Sequence, residues 1–217
     1  MKTRIIASIV LLPIFLAILV LFPPIVLGGT IVTISLLIAF ELFRAGKDAK
    51  SVAMRFFVPL LGVLPIPLAL SSLYWLRIMP WGHLLVLLPI VVTFLTDSGA
   101  YFVGVFMGKR KAFPNVSPNK TVEGCVGGIV IGTIGVLAYG LIIQYFTDIT
   151  FSIPTLLILG IVGSVITEAG DLAFSLLKRK LGIKDYGNLI PGHGGMLDRF
   201  DSMIFSAPAM YLLLLMI

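Results

Sequence analysis

Seven apolar stretches in this chain are each close to the length that an α-helix needs to cross a lipid bilayer. Such a helix takes about 20 predominantly apolar residues. Of the 217 residues, 59% are hydrophobic and only 12% are charged. The sequence therefore predicts an all-α fold, a polytopic integral membrane helical bundle. The predicted spans lie near residues 5–24, 26–43, 56–73, 83–106, 125–146, 154–177 and 201–217.

No polar linker divides these spans, so we expect a single membrane-embedded domain over residues 1–217. Pro59, Pro65 and Pro67 predict that the third span is kinked or broken into a re-entrant pair. The opening apolar run resembles a signal peptide, but no small-x-small cleavage site follows it. We therefore expect an uncleaved first span.

The distribution of basic residues predicts the orientation of the spans. With the N-terminus placed in the cytoplasm, fifteen of the sixteen lysines and arginines fall on the cytoplasmic side, and only Arg77 falls outside. The positive-inside rule thus favours a multi-pass protein of the cell membrane, N-terminus inside and C-terminus outside. The net charge of +6 is explained by this topology and by attraction to anionic lipid headgroups, so we expect no nucleic-acid partner.

Four aspartates lie in or beside predicted spans, all toward the cytoplasmic side. Asp97 lies in the fourth span and Asp171 in the sixth, while Asp198 and Asp201 lie where the seventh begins. An ionisable group within a span costs at least about 2.5 kcal/mol unless it is paired, hydrated or bound to a cation. Packing against a basic or backbone donor explains a single aspartate equally well. Their convergence favours a functional site.

The spacing of polar residues suggests the chemistry of that site. A helix through "EAGDLAFSLLKRK" places carboxylate, hydroxyl and cationic groups on one face: Asp171, Ser175, Lys178 and Arg179. In "LDRFDS", Asp198 and Asp201 share a face, and Arg199 is directed elsewhere. Hard carboxylate oxygens beside cations suit a magnesium ion that bridges to phosphate oxygens.

Two loops contribute further candidates. The glycines of "PGHGG", including Gly194 and Gly195, permit tight turns and expose backbone N–H groups to an anion, whereas His193 is either a hydrogen-bonded turn residue or a catalyst. The loop at residues 108–124 combines four cations with two prolines, which exclude a continuous helix. Topology alone explains many such loops. The alternative is a triphosphate site in one short turn formed by Ser117, Lys120, Thr121 and Glu123.

Two other features of the sequence have simpler interpretations. Gly124, Gly128 and Gly132 recur every four residues, which favours close helix packing over a ligand site. Cys125 is the single cysteine, so an intrachain disulfide is excluded.

The segment "SLLKRKLGIKDYGNLIPGHGGMLDRFD", residues 175–201, resembles the signature of CDP-diacylglycerol synthases, also called phosphatidate cytidylyltransferases. The resemblance is carried by Ser175, Lys178, Arg179, Lys184, Asp185, Gly187, Pro191, His193, Gly194, Gly195, Asp198, Arg199 and Asp201. "TDSGAYFVG" and "SPNKTVEG" are similar to shorter motifs of that family. The resemblance divides the chain into variable N-terminal spans, residues 1–82, and a catalytic core, residues 83–217.

The chain departs from the family pattern at three positions. Asn119 and Val122 replace residues that are commonly lysine and tryptophan, and Phe174 stands where many members carry glutamate. The last change removes a possible acidic ligand. Glu168, one helical turn before Asp171, could compensate.

The resemblance implies a reaction in which CTP and phosphatidic acid yield CDP-diacylglycerol and pyrophosphate, on the cytoplasmic side of the membrane. It implies one or two cations, magnesium foremost with room for a monovalent partner such as K⁺, held by Asp171, Asp198 and Asp201, with Asp97 as a further candidate ligand. Catalysis is assigned to these first three aspartates with Lys178, Arg179 and Arg199. The substrate-binding residues implied are Ser117, Lys120, Thr121, Glu123, Ser175, Lys184, Asp185, His193, Gly194 and Gly195. A homodimer is one assembly that the sequence leaves open.

Two rival functions use similar residues. A cation transporter also needs intramembrane aspartates, but its site is expected near the midplane between broken helices, without the dense polar motif of residues 175–201. A lipid kinase or a CDP-alcohol phosphotransferase is chemically closer. The latter requires a differently spaced cluster of aspartates along one helix, which this sequence lacks.

Overall fold

The computed structural model of the chain describes residues 12–47, 49–189 and 194–216. Its helices are α1 (Pro24–Lys47), α2 (Val52–Val63), α3 (Pro65–Ile78), α4 (Gly82–Leu85), α5 (Leu88–Met107), α6 (Val122–Phe146), α7 (Ile153–Leu181) and α8 (Leu197–Leu215). Residues 12–20 form a further helical stretch.

Among the described residues, five helical segments are long and apolar enough to cross a membrane, and they coincide with predicted spans two to six. They are Pro24–Lys47, Val52–Ile78, Gly82–Met107, Val122–Phe146 and Ile153–Leu181. Large apolar side chains remain on the surface, as expected of helices that face lipid: Phe56 is 75% exposed and Phe106 is 80% exposed. The helical membrane fold is thus confirmed.

The first and seventh predicted spans are not among these five segments. Residues 5–11 of the first span lie outside the described part of the chain. Helix α8 covers the seventh span, but its first turns carry three charged side chains, which keep it out of the set of clearly apolar helices. Seven spans and their orientation therefore stay a prediction.

The third predicted span is broken, as its prolines indicate. Helix α2 contains Pro59 and ends at Val63, while Pro65 occupies the first turn of α3. Between them, Leu64 departs from helical geometry at φ −125° and ψ −61°. Pro65 has no N–H to donate to the preceding turn and its ring clashes with that turn, which favours a break at Leu64.

A small antiparallel sheet is the exception to the all-α prediction. Strand β1 (Lys111–Phe113) pairs with strand β2 (Ser117–Thr121), and Lys111 lies opposite Thr121. The prediction that Ser117 to Glu123 form one short turn is therefore wrong, because β2 is extended and α6 begins at Val122. Prolines exclude a helix here but leave extended backbone available, and strand pairing satisfies its peptide groups.

The contacts divide the chain into two compact units. The first comprises Met1–Val86 and Leu177–Ile204. In it α1 packs against α2 and α3 through a face that repeats every three to four residues. The buried members of that face are Leu27, Ile31, Ile34, Ser35, Ile38, Glu41, Leu42 and Gly46.

The second unit comprises Leu87–Leu176 and Phe205–Ile217. Here α5 packs closely against α6. A Cβ atom at Gly124 would lie 2.8 Å from the carbonyl oxygen of Ala100, and one at Gly128 would lie 2.8 Å from that of Thr96. The glycine repeat therefore allows close helix packing, which confirms that interpretation. The prediction of one domain over residues 1–217 stays a prediction.

Candidate active site

In the second unit, one lysine, two carboxylates and one hydroxyl form what we call the Lys120 cluster: Lys120, Glu168, Asp171 and Ser175. Strand β2 supplies Lys120, and consecutive turns of α7 supply the others. The Lys120 Nζ atom lies 2.7 Å from Glu168 Oε2 and 2.7 Å from Asp171 Oδ2. The Ser175 hydroxyl donates to Asp171 Oδ1 at 3.5 Å. The predicted alignment of Asp171 with Ser175 on one helical face is confirmed.

The Lys120 cluster is partly buried, and its charged groups interact strongly with one another. Burial alone would lower the pKa of the Lys120 ammonium, but the charges of Asp171 and Glu168 outweigh it and raise the pKa above the ordinary value of 10.5. The lysine therefore stays charged throughout the neutral range. The stabilisation from this raised pKa is fully present below 10.5 and is lost only as the pH rises past the higher pKa of the folded state.

Glu168 has one oxygen left over in this cluster. Its Oε2 atom binds Lys120 and accepts a contact from the Cys125 thiol at 3.6 Å. Its Oε1 atom is buried and has no hydrogen-bond partner among the described residues. A buried carboxylate oxygen without a donor costs free energy, so this atom is available to a cation or to a donor supplied by a ligand.

Thr121 and Glu123 accept hydrogen bonds from backbone N–H groups next to the hairpin. The Thr121 hydroxyl accepts the Gly124 N–H at 3.1 Å and so caps the start of α6. Glu123 Oε2 accepts the N–H groups of Lys109 and Arg110 at 3.1 and 3.2 Å. These bonds fix the hairpin that carries Ser117 and Lys120. The predicted substrate contacts of Ser117, Thr121 and Glu123 stay predictions.

In the first unit, Asp198 organises a second group of residues, which we call the Asp198 cluster: Lys178, Tyr186, Gly195 and Asp198. Asp198 Oδ1 lies 2.9 Å from Lys178 Nζ, and its side chain is only 4% exposed. Asp198 Oδ2 accepts the backbone N–H of Tyr186 at 2.9 Å and that of Gly195 at 3.0 Å. One carboxylate thus ties the end of α7, the following loop and the start of α8.

Neighbouring predicted residues meet around the Asp198 cluster. Burial, with the negative charges of Asp198 and Asp201, raises the pKa of the Tyr186 phenol well above its ordinary value. The Lys178 Nζ atom lies 5.6 Å from the centre of the Tyr186 ring. Gly194 has φ +82°, a left-handed conformation that glycine adopts without strain. A Cβ at Gly194 would lie 3.1 Å from Asp198 Oδ2 and 3.5 Å from Asp185 Oδ1.

A buried carboxylate from α1 completes this region. Glu41 is 5% exposed and accepts the backbone N–H groups of Met196 and Leu197 at 2.8 and 2.9 Å. Beside it lies a cavity of about 440 Å³, which Arg44, Asp185 and Asn188 help to line.

The other predicted residues are placed as follows. Arg179, Lys184 and Arg199 are exposed. Asp97 is exposed on α5, next to Thr96, whose buried hydroxyl donates to Ser164 Oγ at 3.0 Å. His193 and Pro191 lie outside the described residues.

Comparison with known proteins assigns these clusters to a family. The sequence pattern of the cytidylyltransferase family matches residues 47–217, most of the chain and both clusters. This chain belongs to the cytidylyltransferase family. The residues of the Lys120 cluster and the Asp198 cluster lie within the matched segment, whereas Glu41 lies before it.

Several bacterial relatives of this family member are named phosphatidate cytidylyltransferase. One from Bacillus subtilis (strain 168) is 51% identical over 124 residues, which cover 57% of this chain and 45% of the relative. One from Staphylococcus saprophyticus is 46% identical over 132 residues, covering 61% and 49%. One from Staphylococcus epidermidis is 41% identical over 146 residues, covering 67% and 55%. The chain spans about half the length of the curated relatives it matches.

The donor atoms of this family member fit a hard divalent cation in part. Glu168 and Asp171 provide carboxylate oxygens within reach of one ammonium group, and no donor in the described part of the chain reaches the buried Glu168 Oε1. Such oxygens are the ligands that magnesium prefers, with water and phosphate oxygens filling the remaining positions. Within the described ranges, no group of three or more histidine, cysteine, aspartate or glutamate side chains could hold an ion.

Sequence reasoning underestimated two acidic residues of this cytidylyltransferase-family chain. Glu168 was only a possible substitute for the glutamate missing at Phe174, yet it binds Lys120 directly. Phe174 itself is buried and packs edge-to-face on Phe205, with ring centres 5.9 Å apart. Glu41 was not among the predicted site residues. Its one signal was a carboxylate on the buried face of a helix.

Proposed function

We propose that this chain transfers the cytidylyl group of CTP to phosphatidic acid and forms CDP-diacylglycerol and pyrophosphate. A phosphate oxygen of the lipid attacks the α-phosphorus of CTP. The bond from that phosphorus to the β-phosphate oxygen breaks, and pyrophosphate leaves with the electron pair. Phosphatidate is already ionised at neutral pH, so no general base is required. Catalysis comes from positioning and from neutralising charge.

The geometry of the Lys120 cluster is the main support for this proposal. One ammonium and two carboxylates sum to a formal charge of −1, which repels a triphosphate. Magnesium, when bound, reverses that sign and stabilises charge on the reacting phosphate oxygens. Glu168 and Asp171 would hold it, with the Ser175 hydroxyl orienting the Asp171 carboxylate. The ammonium of Lys120 is then available to bind phosphate oxygens.

The Asp198 cluster supplies the second set of groups in this proposal. Lys178 would neutralise a phosphate from its position beside Asp198, and Arg179, Lys184 and Arg199 would add exposed positive charge. Asp198, Asp201 and Asp97 are further proposed metal ligands. A monovalent second ion and a homodimer are also part of the proposal.

The proposed site lies at the cytoplasmic boundary of a seven-span, N-in and C-out protein of the cell membrane. This placement suits two substrates that approach from different phases, CTP from water and phosphatidate from the leaflet. The basic residues of the sequence support it through the positive-inside rule. Membership of the cytidylyltransferase family favours this chemistry over a cation transporter or a lipid kinase.

Purified protein in detergent should convert CTP and phosphatidic acid to pyrophosphate and a CDP-linked lipid when magnesium is present. Chelation should stop the reaction, because the carboxylates alone repel the triphosphate. Diacylglycerol should not replace phosphatidate, since it lacks the phosphate nucleophile. The measurement is pyrophosphate release together with mass spectrometry of the lipid product.

Isotope exchange between pyrophosphate and CTP, with and without phosphatidate, separates this activity from its rivals. Folded protein that phosphorylates diacylglycerol, or that gives no magnesium-dependent product across several phosphatidate chain lengths, would refute the proposed function.

Cysteine labelling should place both clusters on the cytoplasmic side. In a Cys125→Ala background, single cysteines at Lys111 and Asn188 should react with an impermeant reagent only from that side. A cysteine at Asp148 should react only from outside, because it follows α6 at the opposite end from the hairpin. Labelling of position 111 or 188 from the outside would contradict the proposed orientation.

A further inference from the structure

We propose that Glu41 is a positioning residue that fixes the first turn of α8, and with it Asp198 and the candidate catalytic side chains that follow. Its effect on catalysis rests on the proposed function, whereas the contact itself does not. Glu41 lies outside the family match at residues 47–217 and outside the signature motifs.

Because Glu41 is buried, its carboxylate oxygens need hydrogen-bond donors from the protein. It lies on the buried face of α1, between Ile38 and Leu42, and is 5% exposed. A buried carboxylate is costly unless its oxygens are hydrogen-bonded. Both oxygens are: Oε1 accepts the Met196 N–H at 2.8 Å, and Oε2 accepts the Leu197 N–H at 2.9 Å. These partners are 155 and 156 residues away along the chain.

The two accepted N–H groups belong to the start of α8, where the first amides of a helix have no helical acceptor. A carboxylate there satisfies them and interacts favourably with the helix dipole. Asp198 Oδ2 accepts the preceding amide, that of Gly195. Three consecutive N–H groups are therefore held by two carboxylates, which sets the direction in which α8 leaves the signature loop.

Two signature glycines lie so close to Glu41 that a side chain at either position would collide with it. All three nearest neighbours of a Cβ at Gly187 would be Glu41 atoms, the closest being Oε1 at 2.5 Å. A Cβ at Gly195 would lie 2.7 Å from both Glu41 carboxylate oxygens. Neither glycine has a positive φ, so steric contact with Glu41, rather than backbone conformation, excludes a side chain at Gly187.

Replacing Glu41 with glutamine tests the contact directly. The amide keeps one acceptor oxygen but presents an NH₂ group to a backbone N–H, so one of the two bonds becomes repulsive. Hydrogen–deuterium exchange of a peptide covering residues 194–199 should accelerate by about tenfold. The kcat per folded molecule should fall by about tenfold, while KM for CTP stays within about twofold of the wild-type value.

Ser35→Ala is the matched control. Ser35 lies on the same buried face of α1, and its hydroxyl has no hydrogen-bond partner within the described part of the chain. Its removal should change neither exchange at residues 194–199 nor kcat. A purely structural role of Glu41 would lower the folded fraction but leave kcat per folded molecule unchanged, and that outcome overturns the positioning role.

A double-mutant cycle with Gly187 supplies a test that general instability cannot imitate. Gly187→Ala should lower kcat by about tenfold in the wild type, because its methyl group collides with the Glu41 side chain. In a Glu41→Ala background the same change should cost less than about twofold, since the colliding atoms are gone. Additive effects, or unchanged exchange in Glu41→Gln, would overturn the proposal. If the wild type makes no CDP-linked lipid, the proposed function fails, but the exchange comparison still decides whether Glu41 holds the start of α8.

Discussion

Replacing Asp171 with asparagine should lower turnover by at least about a hundredfold while leaving a folded, membrane-inserted protein. The amide fits the same space and can still accept from Ser175, but it has no charge with which to pair with Lys120 or to hold the proposed magnesium. Magnesium titration of the initial rate is the measurement, and the half-saturating concentration should rise. Asp201→Asn is expected to act in the same direction.

Two companions make the Asp171 result interpretable. Glu168→Gln should produce a loss comparable to that of Asp171→Asn, because both carboxylates lie 2.7 Å from the same ammonium. Asp148→Asn makes the same chemical change in the loop between α6 and α7, and should have no effect. Near-normal turnover in both Asp171→Asn and Asp201→Asn would remove the proposed metal site.

Replacing Asp198 with asparagine should abolish activity and lower the free energy of unfolding by about 3 kcal/mol. The carboxylate is 4% exposed and holds Lys178 and two backbone N–H groups. An asparagine cannot form the ion pair, so the Lys178 side chain, which is only 15% exposed, loses its charged partner. The asparagine NH₂ group also faces donors that the carboxylate had bound. Denaturant unfolding in detergent micelles, followed by tryptophan fluorescence, measures the change.

The double variant Asp198→Asn with Lys178→Met separates stability from catalysis. It removes the unpaired ammonium, so much of the lost stability should return. Activity should stay absent, because both candidate catalytic groups are missing. Recovery of turnover in the double variant would show that Asp198 has only a structural role.

Local patterns predicted what depends on neighbours in sequence. The length of each apolar run identified the helices from α1 to α7, and the i, i+4 spacing placed Asp171 beside Ser175. Pro59 and Pro65 predicted the break near Leu64. These features follow from backbone geometry and from transfer of apolar groups to lipid, which act over a few residues.

Local sequence patterns did not predict the contacts between segments that are distant in sequence. Lys120 meets Glu168 across 48 residues, and Glu41 meets Leu197 across 156, so no periodicity connects them. The hairpin was missed because its polar strands carry no apolar alternation, and backbone pairing alone forms them. Phe174 indicated a missing ligand, but only the folded chain shows Glu168 beside Asp171 at the same ammonium.

The direct passage of β2 into α6 has a mechanical consequence for Lys120. The residue after it, Thr121, both ends the strand and caps the helix, so no linker separates them. We therefore expect the backbone of Lys120 to move together with α6 rather than independently of it. Only the four-carbon side chain is free to turn. Under the proposed function, the ammonium would reach a phosphate oxygen by rotation of those bonds, without rearrangement of the backbone.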